Sequence, residues 1–541
     1  MAPAVAFLVP TLFIPISVDA YVLPRASLTL AGGGLLAAAG MLVGRRPLHA
    51  LRVPVLAAVL AAALAALLSV APIVSLVGTY GRYESLPVRL AYIGLFCGAI
   101  WIGEREWTVT AFLAGCAVAA TEGIYQAWTH ALARPDGNLG QPNLLGALLA
   151  MAIPLALDRA LRRAPTPGSA GYSPDSPPHE AGFLAVPAKP FGFVGWVKGT
   201  PGAGESGRSH AGRVWLALAG LYGLALVLSV SRSGWLGAMT GVCVLAIFTA
   251  RPRQRPAITA VAALVLAVAA LLVLFSPLRM LNSDPPSFRL GIWRDSLSVI
   301  VERPLTGWGQ DTMGLVFGRH QSADWVAGSN IDRAHSMPLD LAATQGLLGL
   351  AACTWLFCVW WLGIWRHRDL PGLAGIAGAA AAYLASVLLN FDWAPAAAAF
   401  WLLAGAGWPG PSRNQPAVRP SGAWGAGIRV VAAGAAALSG LIIAVVPMVA
   451  DVAYYARQPG TAAALVPWQP RYQVAKGDLA SLRYAAAVGD PDPETYVALG
   501  DAEAQAGHAE ASAAAYRQAL ERYPYDTDAR QRLAAAPRSA R

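Results

Sequence analysis

The chain has 541 residues, of which 56% are hydrophobic and only 13% charged, with a formal net charge of +10. An average soluble domain carries roughly 25% charged residues, so this balance excludes ordinary globular packing in water and points to a multi-pass membrane protein. The basic residues are scattered through short connections instead of gathered on one domain, which argues against nucleic acid as a partner and for orientation in a lipid bilayer.

Taken in chain order, the apolar runs predict thirteen helices, near 4–23, 28–44, 53–71, 86–102, 107–128, 143–158, 213–230, 234–250, 257–275, 338–365, 371–389, 394–408 and 428–449. Runs of this length can cross a hydrocarbon core of roughly 30 Å. They are continuously apolar where a membrane barrel would alternate, so the expected fold class is all-α, a polytopic transmembrane helical bundle over residues 1–450. Met1 to Leu23 lacks a basic leading region and reads as a first anchor, not a cleaved signal. Cys97, Cys116, Cys243, Cys353 and Cys358 all fall inside predicted helices without CxxC spacing and read as packing residues.

Sidedness follows from the basic connections. Arg45, Arg46 and Arg52, then Arg159, Arg162 and Arg163, then Arg251, Arg253 and Arg255, then Arg366 to Arg368, then Arg413 to Arg419, all share one side if the N-terminus is cytoplasmic. The Pro-, Gly- and Ser-rich stretch 160–212 is then a flexible cytoplasmic insertion, whose composition cannot bury a core. The turn SVSRSG (229–234), the loop 276–337 and the tail 451–541 face outward. In the tail, Tyr496, Leu499, Gly500, Ser512, Tyr516, Ala519 and Pro524 keep the spacing of one tetratricopeptide repeat over about 493–526. An Ala-rich helical hairpin is the plainer alternative. A single repeat is too small to stand alone, so it is expected to pack on helices from 467–490 or on a protein partner.

Arginines at the outer face are costly unless they meet water or an anion. Arg232 sits in the tight outer turn among Ser229, Ser231 and Ser233, where its alternative role is to anchor the helix end at headgroup level. Arg289 and Arg294 flank Trp293 in the outer loop. In a helix starting near Ser287 the two do not share a face, so Arg289 is expected to aim at a site while Arg294 pairs with Asp295 or Glu302. The alternative is an amphipathic helix lying on the membrane. His335 precedes the next span, and an imidazole there can exchange a proton near neutral pH, although an isolated interfacial histidine is more often structural. No HExxH, GxSxG or GxxxxGK[ST] pattern occurs. Two guanidinium groups and an imidazole on one face suit an anionic lipid-linked substrate: arginine clamps phosphate oxygens, and a neutral imidazole can deprotonate a hydroxyl.

Three stretches in order resemble motifs of the O-antigen ligase and polymerase superfamily of bacterial membrane glycosyltransferases: LSVSRSGWLG (228–237), RLGIWRDSLSVIVERPLTGWGQD (289–311) and AHSMPLDLAATQGLLGL (334–350). GNLGQPNLLGALLAMAIPLAL (137–157), with Asn143, is similar to a looser fourth pattern. Ser233 stands where the family often has glycine, and Ser336 where it usually has asparagine. The resemblance implies a GT-C type fold in a bacterial plasma membrane. It also implies transfer of a glycan from an undecaprenyl-diphosphate carrier to a glycan or protein acceptor at the extracytoplasmic face, with inversion and with no metal, nucleotide sugar or other cofactor. By the same resemblance, Arg232 and Arg289 would bind the diphosphate and His335 would activate or position the acceptor hydroxyl. Arg294, Trp293, Asn143 and, in the GTYGRYES loop, Arg82 would be further, secondary substrate contacts. Polymerisation of repeat units and O-glycosylation of a protein remain open within the family. A carrier-lipid flippase, which calls for midplane ionisable groups and internal repeats, is the alternative of another class.

Overall fold

The computed structural model describes residues 1–43, 48–162, 205–275, 286–328, 330–409 and 423–536, and among them every regular element is helical. The bundle comprises α1 (Ala2–Thr11), α2 (Val22–Val43), α3 (Arg52–Leu67), the short α4 (Pro72–Val77), α5 (Leu86–Ile102), α6 (Arg105–Trp128), α7 (Pro142–Leu161), α8 (Glu205–Leu228), α9 (Arg232–Thr249) and α10 (Arg255–Phe275). After α11 (Pro286–Glu302) and α12 (Met313–Val316) in the long loop come α13 (Met337–Arg366), α14 (Leu373–Leu388), α15 (Ala394–Gly407) and α16 (Ala423–Tyr455). The tail is α17 (Pro459–Leu465), α18 (Pro470–Lys476), α19 (Leu479–Val488), α20 (Pro493–Gln505), α21 (Ala509–Arg522) and α22 (Thr527–Ala535). Most of the 160–212 insertion, Arg45, Arg46, Arg163 and the 413–419 arginines lie outside the described residues.

Six of the described helices are long and apolar enough to cross a membrane: α2, α6, α7, α9, α13 and α16. Shorter apolar helices, among them α3, α5, α14 and α15, pack with them. The surface is inverted relative to a soluble protein, with Leu60, Leu264, Val431 and Leu438 all exposed, as a chain bathed in lipid requires. Because lipid is as apolar as leucine, helix association relies on close approach of small residues. Accordingly α2 lies between α5 and α16, where a side-chain carbon added at Gly33 would stand 2.5 Å from the Ala91 carbonyl oxygen.

Three expected helices are shorter or interrupted. The run 4–23 is helical only to Thr11, because Pro10 and Pro15 break it and the Asp19 carboxylate caps the next helix through the amides of Tyr21 and Val22. Arg25, a fully buried cation inside an apolar helix, donates to the carbonyls of Val9, near the end of α1, Tyr21 and Asn138. The run 53–71 ends at Leu67, since the Val70 amide is diverted to the Trp308 carbonyl. The run 338–365 is broken at Gly346, for a reason that belongs to the site. At its other boundaries α8 begins at Glu205, inside the span read as insertion, and α16 extends to Tyr455.

Consecutive connections alternate between two ends of the bundle. At one end the N-terminal amine approaches Glu104, Glu106 pairs with Arg159 and Arg162, and the Arg255 guanidinium lies over the Trp365 ring. At the other, Asp451 gathers Ser17, the Asp19 amide, Tyr80 and Tyr472 at 2.5–3.1 Å, which binds the 12–21 and 78–85 connections to the tail. The tail is seated on this end: the Tyr523 hydroxyl donates to Asp324 and accepts from the Gly328 amide, and α21 packs on the 317–320 turn. Within it α20 and α21 form an antiparallel hairpin that shares a small core with α19, through Leu482, Leu499 and Ala515.

Candidate functional site

The centre of this end is a backbone exchange between two of the sequence motifs. The turn RPLTGWG (303–309) enters α13 where the helix breaks. Gly346 adopts φ 68° and ψ −176°, a conformation open in practice only to glycine. The amides of Leu347 and Leu348, which would have bonded within the helix, take the carbonyls of Pro304 and Leu305 at 2.7 and 3.2 Å. In return the Trp308 and Gly309 amides take the carbonyls of Ala343 and Thr344, both at 2.9 Å. Backbone polar groups this deep must be satisfied by protein, and the turn supplies what the helix gives up.

The exchange fixes the segment that carries His335. Asp311 accepts from the Thr79 amide and hydroxyl at 2.6 and 3.0 Å and forms a buried ion pair with Arg333. Arg82 binds Asp332 with two nitrogens, at 2.6 and 3.2 Å. Burial alone would raise the Asp332 carboxyl, but Arg82 and Arg333 outweigh it and hold it below the usual carboxylate range. Asp340, one turn into α13, accepts from the Ala334 amide at 2.6 Å. With its neighbours clamped, His335 is held at φ 52°, a left-handed conformation uncommon for residues other than glycine. Its ring packs edge-on to Phe288 and Phe391, with centroids 6.0 and 5.5 Å away. Arg82 also lies over Phe391 and Trp393 at 5.0 and 4.9 Å, so Arg82 and His335 share one aromatic wall.

Phe288 brings α11 to the same wall, and Arg289 follows it, half-buried. The two arginines of α11 diverge as their spacing implied. Arg294 is largely exposed and pairs with Asp295 and Ser322. Asp295 is buried, and it also accepts from the Ser322 amide and the Trp325 indole at 2.9 and 2.7 Å, which folds the loop back over α11. The Trp293 indole N–H is buried and donates to no described protein atom.

Arg232 is the first residue of α9 and is buried. Ser231 caps the helix by accepting from the Gly234 amide and donates to the Asn143 side chain at 3.2 Å. Arg134 bonds the same Asn143 oxygen and the Val230 carbonyl. The fourth, looser motif therefore touches the Ser-Arg turn directly. This group and the His335 group lie at the same end of the bundle, where Arg25 also ties the connection after α6 to α2 through the Asn138 carbonyl, and Asp451 ties Asp19 to Tyr80.

Sequence reading missed a set of buried charges beneath His335. Arg89 joins Glu84 at 3.2 Å and Asp392 at 2.5 Å; Tyr92 donates to Glu84, and Tyr383 to Asp392. Burial pushes the Glu84 carboxyl up despite Arg89. The available signal was Asp392 itself, a lone carboxylate between two apolar runs. Met337, Leu341 and Cys353 border these charges on one side and an apolar groove of about 350 Å3 on the other, lined also by Phe357, Leu384 and Leu388.

Residues 217–354, about a quarter of the chain, match a family model described as O-antigen ligase. The matched stretch contains Arg232, Arg289, Trp293, Arg294 and His335 and both partners of the backbone exchange, while Arg82, Asn143 and the tail lie outside it. Fold and site thus define an all-helical, multi-pass membrane protein. Within it the stretch 217–354 is similar to the O-antigen ligase family, and its candidate residues Arg232, Arg289 and His335 lie at one end of the bundle. No curated protein matches the chain.

Proposed function

We propose that the protein transfers a glycan from an undecaprenyl-diphosphate carrier to an acceptor hydroxyl at the extracytoplasmic face of a bacterial plasma membrane. The observation that carries this reading is that the O-antigen ligase match encloses Arg232, Arg289 and His335, and that the motifs bearing Arg289 and His335 interlock through the 303–309 turn and Gly346. Arg289 and Arg232 bind the diphosphate, whose growing negative charge they stabilise as it leaves. His335 takes the proton of the acceptor hydroxyl as its oxygen bonds to the anomeric carbon and the bond from that carbon to the diphosphate oxygen breaks, which inverts the centre. The apolar groove between α13 and α14 accommodates the carrier chain. Arg82, already bound to Asp332, acts by holding the His335 segment, and Trp293 offers a donor to substrate. Neither a metal nor another cofactor takes part.

The end bearing Asp451, His335 and the tail faces outward in this reading, and the end with Arg159, Arg162, Arg255 and Arg366 faces the cytoplasm. The tail hairpin is read as a tetratricopeptide-type unit open to a protein partner. Purified protein in lipid nanodiscs, given a carrier-linked glycan and candidate acceptors, tests the assignment. Transfer lost in both Arg289→Ala and His335→Ala supports it, transfer retained in both refutes the site, and translocation without a covalent product favours the flippase.

A further inference from the structure

Where the tail meets the bundle there is a cleft of about 210 Å3, room for roughly seven water molecules at the liquid volume of about 30 Å3 each. Its walls come from distant parts of the chain: Tyr80 from the connection after α4, Asp332 from the segment before His335, Trp468 from the connection between α17 and α18, Arg471 from the start of α18, and Asp490 and Asp492 from the turn between α19 and α20. These walls are held in place. Tyr80 donates to Asp451 at 2.7 Å and Asp332 is bound by Arg82. The Asn330 amide donates to the carbonyls of Gly314 and Pro491 at 2.6 and 2.9 Å, which ties the tail turn to the outer loop. Asp490 is buried, with its carboxylate accepting from the Thr495 hydroxyl at 2.7 Å.

The lining narrows the ligand class. Three carboxylates face one arginine, so a diphosphate is disfavoured. Arg82 neutralises Asp332 and Arg471 offsets a second charge, which leaves too little net charge to select a polycation. What remains is a small, polar, nearly balanced cleft with aromatic surface: Trp468 is 41% exposed on its rim, and Arg471 stands 6.0 Å from the centre of the Tyr80 ring. Carboxylate acceptors, a guanidinium donor and flat apolar rings together complement a saccharide, whose hydroxyls both donate and accept and whose carbon-bound hydrogens form an apolar face.

We propose that this cleft is a saccharide-binding site built jointly by the tail and the outer connections. Its position rests on the glycan-transfer reading for its purpose. Asp332 is three residues from His335, and Arg82 joins Asp332 to the Phe391 ring against which His335 packs. A sugar unit held here is a neighbour of the reacting hydroxyl or of the glycan being moved. The tail then serves as part of the substrate site and not only as a platform for a partner.

Saturation-transfer NMR on the full chain in lipid nanodiscs tests this, with free glucose, galactose, mannose, rhamnose and N-acetylglucosamine as probes. At least one sugar should receive saturation from the wild type, with the signal reduced at least about fivefold by Trp468→Ala and by the surface variant Arg471→Ala, and retained in Trp468→Phe. Absence of saturation for every sugar, or equal signals in wild type, Trp468→Ala and Arg471→Ala, overturns the proposal. So does Trp468-dependent binding of hexalysine in place of any sugar. In the transfer reaction, a raised KM for acceptor in Trp468→Ala assigns the site to the acceptor's saccharide, and a raised KM for donor assigns it to the carried glycan. A wild type that binds sugar but transfers nothing refutes the transfer reading and leaves the cleft standing, while active transfer without sugar binding does the reverse.

Discussion

Replacing Gly346 with alanine perturbs the point where the stretches 289–311 and 334–350 exchange backbone hydrogen bonds. The residue sits at φ 68° and ψ −176°, a region that costs a non-glycine residue about 1–3 kcal/mol. The new carbon would also overlap the Leu305 carbonyl and stand 2.5 Å from the Thr306 nitrogen, so backbone, not a flexible side chain, has to move. The nearest bonds, from Leu347 and Leu348 to Pro304 and Leu305, are worth about 1 kcal/mol each. Together these give a destabilisation of about 3–5 kcal/mol. The five free cysteines allow thermal unfolding to be followed with a thiol-reactive dye. Gly346→Ala should unfold at a clearly lower temperature and lose about a hundredfold in transfer, the cost expected when a reacting group shifts by about 1 Å. Gly434→Ala, on an exposed helical face with nothing within 4 Å of the added carbon, is the control and should be neutral or slightly stabilising. If Gly346→Ala unfolds and transfers like wild type, the interlock does not hold the site.

Arg333→Met strands Asp311 without its buried partner and should cost about 3–5 kcal/mol in denaturant or thermal unfolding, with the double variant Arg333→Met/Asp311→Asn recovering part of it. The tail has its own pH dependence. Burial pushes the Asp490 carboxyl up to about 6 from an unfolded value near 3.8, so the folded state holds this proton more tightly. The stability it contributes is complete below about pH 3.8 and lost as pH rises through about 6, a change of at most about 3 kcal/mol. The unfolding midpoint of Asp490→Asn, relative to wild type, should therefore rise between pH 4 and 7; a pH-independent difference refutes the assignment. For sidedness, a cysteine at Ala327 should react with an impermeant maleimide in intact cells, whereas one at Arg253 should not; the opposite pattern inverts the topology.

The helices were legible because their apolar runs are long, and Arg232, Arg289 and His335 could be singled out as candidates because short motifs surround them. Breaks were harder to read. Hydropathy continues unchanged through Gly346, since what ends the helix is an exchange of amides and carbonyls with a turn about forty residues earlier, which no local pattern encodes; the only trace is Gly346 itself. The first helix is similar, although there Pro10, Pro15 and Asp19 did mark the break. The buried pair Arg333 with Asp311 and the partly buried pairs Arg82 with Asp332 and Arg89 with Asp392 could not be read because their partners meet only after folding. In sequence the partners stand 22, 250 and 303 residues apart. Of the α11 arginines, Arg294 does pair with Asp295, its neighbour in sequence.

The decisive measurement is single-turnover transfer from a carrier-linked glycan by the purified protein, comparing wild type with Arg289→Ala and His335→Ala at matched thermal stability. Wild type should release carrier diphosphate and yield a glycosylated acceptor with inverted linkage. Each variant should fall by about a hundredfold or more, the scale seen when a transition-state donor or a general base is removed. Transfer at wild-type rate by either variant, or carrier movement across the bilayer with no glycosylated product, would contradict the assignment of this end of the bundle as a glycan-transfer site.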